Sequence, residues 1–239
     1  LPSWISGAAM PDEAVVAETQ RNLAAAASPY ARLMEVTVSR GTEFLGTDSL
    51  KPSLNEVEDE DGNVSVERFT KAATDWDYYL RHGWQLAPIA SHDNHGANWG
   101  AGHSSRTAVI SDSPDEAGIL GALADRAVYA SEDEDLEIRL YADDRIRAGQ
   151  TMGTLADAIE LDLLLSDPDF EGEYDVKVVL GTVGERASRV VRELSVPADR
   201  WQSIEVPLPD EGQHFVYLEV FEAEPNRMAW TAPVFVTRH

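Results

Sequence analysis

The chain of 239 residues contains no cysteine. This absence excludes disulfides, thiolate zinc sites and a cysteine nucleophile. Positive charge is also scarce: 43 acidic residues outnumber 19 lysines and arginines, which gives a formal net charge of −24. A nucleic-acid surface needs clustered Lys and Arg to displace counterions, so we expect no nucleic-acid partner. No apolar run approaches the ~20 residues that cross a bilayer, and we therefore predict no membrane span.

Several catalytic and nucleotide-binding motifs are missing as well. The sequence has no Gly-x-Ser-x-Gly elbow, no glycine-rich phosphate loop and no dinucleotide fingerprint. Residues 1–10 lack the basic start and long apolar stretch of a signal peptide. Localisation therefore stays open between an exported and a cytoplasmic protein.

The first half of the chain alternates between helical and extended patterns. Helices are predicted at 11–27, 66–81 and from Ser113, an expected N-cap, to 126; strands are predicted at 31–38, 85–91 and 107–110, and a loop at 50–64. Strands that alternate with helices are typical of an α/β fold with parallel pairing.

The second half is different in kind. Seven short strands are predicted, at 136–142, 159–165, 174–180, 188–194, 201–206, 215–221 and 232–237. Arg139 and Tyr141 alternate with Ile138 and Leu140, so one face of this strand is expected to face solvent and the other the core. We predict an antiparallel β-sandwich of immunoglobulin-like architecture at 132–239, although a helical face also fits 188–194.

A polar loop directly follows the predicted strand 85–91. It carries His92, Asp93, His95 and His103. Asp93 and His95 are two residues apart, so an extended backbone points both side chains to the same side. A carboxylate oxygen and an imidazole nitrogen form half of a site for Zn, Mn or Fe. The alternative is that Asp93 makes turn hydrogen bonds within a polar loop.

Several segments resemble the C-terminal end of a known domain. They are GWQLAP at 83–88, DNHG at 93–96, NWG at 98–100, RTAV at 106–109, AVYASED at 127–133 and AWTAPVFV at 229–236. Together they resemble the PHP (polymerase and histidinol phosphatase) metallohydrolase family, in its carbaryl-hydrolase-like branch. Most of the similarity lies in residues 30–131.

The resemblance implies that residues 1–131 are the C-terminal part of a distorted β/α barrel. It also implies a cluster of two or three divalent metal ions, with Asp93 and His95 as ligands and His92 beside them. The family's His-x-His signature is absent from this sequence. On this resemblance, the missing ligands would come from a barrel segment upstream of Leu1 or from another chain.

Three further residues are candidates for the catalytic cleft. Glu35 is a charged residue in an apolar strand, so it either faces the cleft or pairs with Arg32 or Arg40. His103 either adds a metal ligand, contacts substrate or lies in solvent. Arg106 either holds an anionic substrate oxygen or contacts Asp93 and fixes the position of that ligand.

Two functions follow from these observations. The first is a metal-dependent hydrolase in which metal-activated water cleaves an ester, carbamate or phosphoester of a small-molecule substrate. The second is a binding or accessory module without catalysis, in which the β-sandwich recognises a partner.

Overall fold

A computed structural model describes residues 13–27, 30–38, 53–58, 64–69, 71–92, 97, 99–101, 104–222 and 227–239. In this part of the chain the helices are α1 (Glu13–Ala27), α2 (Lys71–Arg81) and α3 (Glu116–Ala124). The strands are β1 (Leu33–Val38), β2 (Ser53–Glu58), β3 (Val64–Phe69), β4 (Ala87–Ser91), β5 (Arg106–Val109), β6 (Val128–Ser131), β7 (Glu137–Ala142), β8 (Ile146–Arg147), β9 (Thr151–Thr154), β10 (Ala158–Ser166), β11 (Glu173–Thr182), β12 (Arg189–Pro197), β13 (Gln202–Pro207), β14 (Gly212–Glu222), β15 (Arg227–Thr231) and β16 (Val234–Arg238).

Two sheets form a sandwich. The larger has the order β12-β11-β14-β15-β6-β5, with β16 paired to β14 and β9, and the smaller has the order β13-β10-β7-β8. Alternate residues of each strand point inward, as in β10, where Ile159, Leu161 and Leu163 are buried. They pack against inward residues of the larger sheet such as Val176 and Leu218. Burial of this shared apolar layer holds the sheets together.

The larger sheet is buried on its other face too. Along β14, Val216 and Leu218 enter the sandwich, whereas Phe215 and Tyr217 belong to a second apolar cluster. Helix α2 contributes Trp76 to that cluster, with its ring centroid 4.6 Å from that of Tyr217. Strands β1 and β4, which pair in parallel, add further members. The larger sheet is therefore the middle layer of three.

The fold-class prediction was wrong in its first half. The described strands are arranged in open sheets, and no β/α barrel is found among them. The expected parallel pair exists as β1 with β4, but β5 pairs antiparallel with β6 inside the larger sheet. The sandwich character predicted for the second half is present. Strands β5 and β6 precede residue 132 and belong to the larger sheet. The domain boundary at 131/132 stays a prediction.

Some local predictions also need correction. The N-cap of α3 is Asp115, whose Oδ1 accepts a hydrogen bond from the Gly118 amide at 2.8 Å, and not Ser113. The predicted loop at 50–64 contains β2, and the helix predicted from residue 66 begins only at Lys71, after β3. Strands β6, β8, β9 and β15 were also missed. Segment 188–194 is a strand, β12, and not the alternative helix.

Candidate functional site

The predicted metal site is only partly within the described residues. Asp93, His95 and His103 lie outside them, so their roles as ligands or cleft residues stay predictions. His92, which follows β4, and Arg106, which begins β5, are described. Glu35 is exposed on β1, opposite Ile89 of β4.

His92 and Arg106 both contact the backbone carbonyl of Ser105. The His92 Nε2 donates to the Ser105 carbonyl at 2.6 Å, and the Arg106 Nη1 donates to the same oxygen at 2.9 Å. The Nη2 of Arg106 lies 3.2 Å from the Glu134 Oε2. Arg106 thus joins β5 to the loop after β6, and its guanidinium is 3.2 Å from the His92 ring. These contacts hold the two side chains in place, and the Nε2 atom of His92 takes part in them.

A different cluster of acidic residues lies at one end of the sandwich. Asp133, Asp167 and Glu222 are 2%, 5% and 5% exposed, and one carboxylate oxygen from each lies within 4.8 Å of the others. Asp133 follows β6, Asp167 follows β10, and Glu222 ends β14. Three carboxylates that are this close and this well buried are costly unless protons or cations offset their charge.

The loops position two of these carboxylates through backbone hydrogen bonds. Asp133 Oδ1 accepts from the Asp135 amide at 3.0 Å and from the Leu136 amide at 3.2 Å. In the same way, Asp167 Oδ1 accepts from the Asp169 amide at 3.1 Å. Both are turns in which an Asp side chain organises the two or three residues that follow it. The repeated Asp-x-Asp spacing therefore has a structural cause.

Asp135 and Asp169 extend the cluster toward solvent. One oxygen from each lies within 4.8 Å of Asp133 and of the other. A hydrogen bond to Asp133 raises the pKa of Asp135 to about 6, with smaller contributions from burial and from the charge of Asp133. A hydrogen bond to Asp167, and the charge of that residue, raise the pKa of Asp169. Five carboxylates therefore converge on one region.

A single arginine faces this cluster among the described residues. The Arg227 Nη1 donates to the Asp133 Oδ2 and lies 3.9 Å from the Glu222 Oε2. Burial would raise the pKa of Asp133, but the Asp135 amide and the Arg227 guanidinium lower it below its usual value. The pKa of Glu222 is raised to about 7, and burial is the largest cause. The charges of Asp133, Asp167 and Asp169 also raise this pKa, whereas that of Arg227 lowers it. One positive charge does not balance five acids.

The outer face of the smaller sheet carries the second candidate site. Tyr141, Asp144, Asp162 and Trp201 line an open cleft of about 360 Å³. Asp162 on β10 stands opposite Tyr141 on β7 in the strand register. The Trp201 and Tyr141 ring centroids are 6.2 Å apart, with the ring planes at 43°. Trp201 is 53% exposed, so its ring is accessible from solvent.

The charge of this cleft is negative. Burial raises the pKa of Asp162, and repulsion from Asp144 and Glu160 raises it further. Arg147 stands opposite Tyr141 on β8, but it does not line the cleft. The cleft therefore combines two aromatic rings with two carboxylates.

Neither site was identified from the sequence. The members of the carboxylate cluster are 34 and 55 residues apart, so no short spacing joins them. The available signal was the pair of Asp-x-Asp turns at 133–135 and 167–169, each directly after a strand. For the cleft, the signal was a large aromatic residue, Trp201, beside a strand whose inward positions are already apolar.

The comparisons with known proteins do not assign a family. No family model and no curated protein matches the sequence. A DUF3823 family protein from Bacteroides ovatus is similar with a TM-score of 0.31 and 12% identity, over 44% of this chain and 56% of that structure. The soluble domain of PmoD from Methylocystis sp. is similar with a TM-score of 0.28 and 10% identity, over 42% of this chain and 90% of that one.

These findings correct the predicted family. No family model matches the sequence, that of the PHP family included, and the sheets of the described residues form no barrel. The resemblance to the PHP family was therefore wrong, and the description of the chain as a hydrolase of that family loses its support. Within the described residues, no helix is both long and apolar enough to cross a membrane.

Proposed function

We propose that the chain is a binding module whose β-sandwich holds a basic segment of a partner protein in the Trp201–Tyr141 cleft. The supporting observation is that the Trp201 and Tyr141 rings lie beside carboxylates on one open sheet face. This is the second of the two functions predicted from the sequence, now with a specific surface.

The aromatic rings favour a cation over a neutral ligand. Trp and Tyr attract ammonium and guanidinium groups to their ring faces, and Trp does so most strongly. Trp201 keeps about half of its surface open, so a ligand can reach the ring. A lysine or arginine side chain can also lay its apolar stem along such a ring while its charged end reaches a carboxylate.

The carboxylates and the net charge favour the same ligand. The negative charge of Asp144 raises the pKa of the neighbouring Asp162, and a bound cation would offset this repulsion. The net charge of −24 attracts positive partners from a distance. Both observations select a basic peptide over an acidic one.

Isothermal titration with tri-lysine, tri-arginine and tri-glutamate peptides tests this proposal. We expect the two basic peptides to bind and the acidic one not to bind. Trp201→Ala should weaken binding about tenfold, because a cation–π contact contributes about 0.5–2 kcal/mol. Asp162→Asn should weaken binding as well.

Two matched variants control for general effects. Trp99→Ala removes another exposed tryptophan, and Glu205→Gln removes a charge from β13 outside the cleft. Both should bind like the unmodified chain. Equal affinity in Trp201→Ala, or binding of cellotetraose in place of the peptides, would contradict the proposal; the sugar result would assign the cleft to carbohydrate.

A further inference from the structure

We infer that Asp133, Asp167 and Glu222 form a calcium-binding site, with Asp135 and Asp169 at its solvent side. This site is separate from the aromatic cleft, and it does not depend on the proposed function. Four features support the inference: an unbalanced charge, an unused carboxylate oxygen, the chemistry of the donors and the position of the cluster in the fold.

The first feature is the charge. Five acidic side chains share this region with Arg227, whose guanidinium contacts Asp133 and lies 3.9 Å from Glu222. With all groups ionised, a net charge of about −4 would stand in a partly dry environment, where repulsion is poorly screened. A divalent cation would halve that charge.

The second feature is the Glu222 side chain. Its Oε2 is buried and accepts no hydrogen bond, and Arg227 Nη1, at 3.9 Å, is too far away to donate one. Glu222 is 5% exposed, and its carboxylate reaches to within 4.8 Å of Asp133 and Asp167. A buried acceptor without a donor is costly, so this oxygen points to a ligand that the protein itself does not supply.

The third feature is the set of donor atoms. All five side chains offer carboxylate oxygens, and neither histidine nor sulfur takes part. Oxygen-only sites suit hard cations, and calcium accepts six to eight oxygens in irregular geometry at about 2.3–2.6 Å. Magnesium demands a near-octahedral shell and keeps several waters, which fits a crowded carboxylate cluster less well. Zinc prefers nitrogen and sulfur.

The fourth feature is the position of the cluster. Asp133 lies in the connection from β6 of the larger sheet to β7 of the smaller sheet. Asp167 lies in the connection from β10 of the smaller sheet to β11 of the larger sheet, and Glu222 ends β14. A cation here would bind both crossings and the end of a central strand. It would fasten the two sheets together at one end of the sandwich.

Thermal unfolding with and without calcium tests the inference. At calcium about 100-fold above its Kd, we expect the melting temperature of the full chain to rise by about 5–10 °C. Magnesium at the same concentration should give a smaller rise. Terbium should bind in place of calcium and luminesce when tyrosine is excited, because the Tyr174 hydroxyl is 2.5 Å from the Asp167 Oδ2.

Three variants complete the test. Glu222→Gln should weaken calcium and terbium binding at least tenfold while melting without calcium no lower than the unmodified chain. Glu219→Gln is the matched control, because Glu219 is on the same strand but belongs to the opposite face of the sheet, and it should respond like the unmodified chain. Arg227→Gln should bind calcium more tightly, because a competing positive charge is lost.

Three outcomes would overturn the inference. Unchanged melting with calcium and no terbium luminescence would mean that Arg227 and a proton on Glu222 neutralise the cluster. Equal binding by Glu222→Gln and the unmodified chain would place the cation elsewhere. An equal response to magnesium would remove the assignment to calcium.

Discussion

The carboxylate cluster and the aromatic cleft both contain acidic side chains, but those of the cluster are mostly buried and those of the cleft are open to solvent. In the carboxylate cluster, Asp133 and Glu222 are almost fully buried at the end of the sandwich. In the aromatic cleft, Asp144 and Asp162 stand on the open face of the smaller sheet, beside Trp201. Water can screen the second pair but reaches little of the first.

This difference decides what each region can do. Buried carboxylates must share protons, pair with a cation or bind a metal, because the protein interior does not hydrate their charges. Carboxylates in an open cleft can stay ionised and available to a ligand that arrives from solvent. The number of acidic residues alone is therefore a poor guide to function, and burial separates a structural cation site from a recognition surface.

The largest expected difference between the two regions is in stability. Asp133→Ala should lower the free energy of unfolding by about 2–4 kcal/mol, because it removes the ion pair with Arg227 and two hydrogen bonds to backbone amides. Asp162→Ala should change it by no more than about 0.5 kcal/mol, as is usual for surface positions. Urea unfolding in calcium-free buffer measures both, and similar costs would contradict the contrast.

A smaller effect should be seen in the pH dependence. The pKa of Glu222 is raised from 4.5 to about 7 in the folded chain, so the folded state holds this proton more tightly than the unfolded state. Its contribution to stability is therefore full below about pH 4.5 and is lost as the pH rises to and through 7, a change of about 3 kcal/mol.

The groups that face Glu222 are Arg227, Asp133, Asp167 and Asp169. Subtracting the pH profile of Glu222→Gln from that of the unmodified chain isolates this loss from the other titrations. Saturating calcium should abolish the loss, because the metal replaces the proton. If the two profiles run parallel without calcium, the environment assigned to Glu222 is wrong.

The smallest effect should be the response to salt. Raising sodium chloride from about 0.05 M to about 0.5 M should weaken peptide binding at the open cleft severalfold, because the Debye length shortens. Calcium binding at the buried cluster should change less, since solvent ions do not enter it. Titrations at both ionic strengths measure this, and equal salt sensitivity would indicate that both sites are on the surface.

Local patterns predicted many of the strands. The alternation around Leu140 placed β7 correctly, and the apolar runs before Val38 and Ser91 predicted the strands β1 and β4. What the sequence could not provide was the partner of each strand. Strand β5 follows β4 closely in the chain, yet it pairs with β6. Such pairings depend on contacts between distant segments, which no local period records.

The candidate sites were harder to predict for the same reason. Asp93 and His95 were predicted as metal ligands because they are close in the sequence. Asp133 and Glu222 come together only after β6 and β14 are placed in one sheet. Glu222 is also the last residue of its strand, where an acidic residue suggests a solvent-exposed strand end. Glu222 is nevertheless buried beside Asp133 and Asp167, which are distant from it in the sequence.

Strand β12 has a further consequence for how these molecules behave toward one another. It is nine residues long and forms one border of the larger sheet, where unpaired backbone groups would invite a strand from another copy. Arg189, Arg192 and Glu193 are exposed along it. Charges on a border strand discourage such pairing, so these three residues protect the molecule from aggregating through its sheet edge.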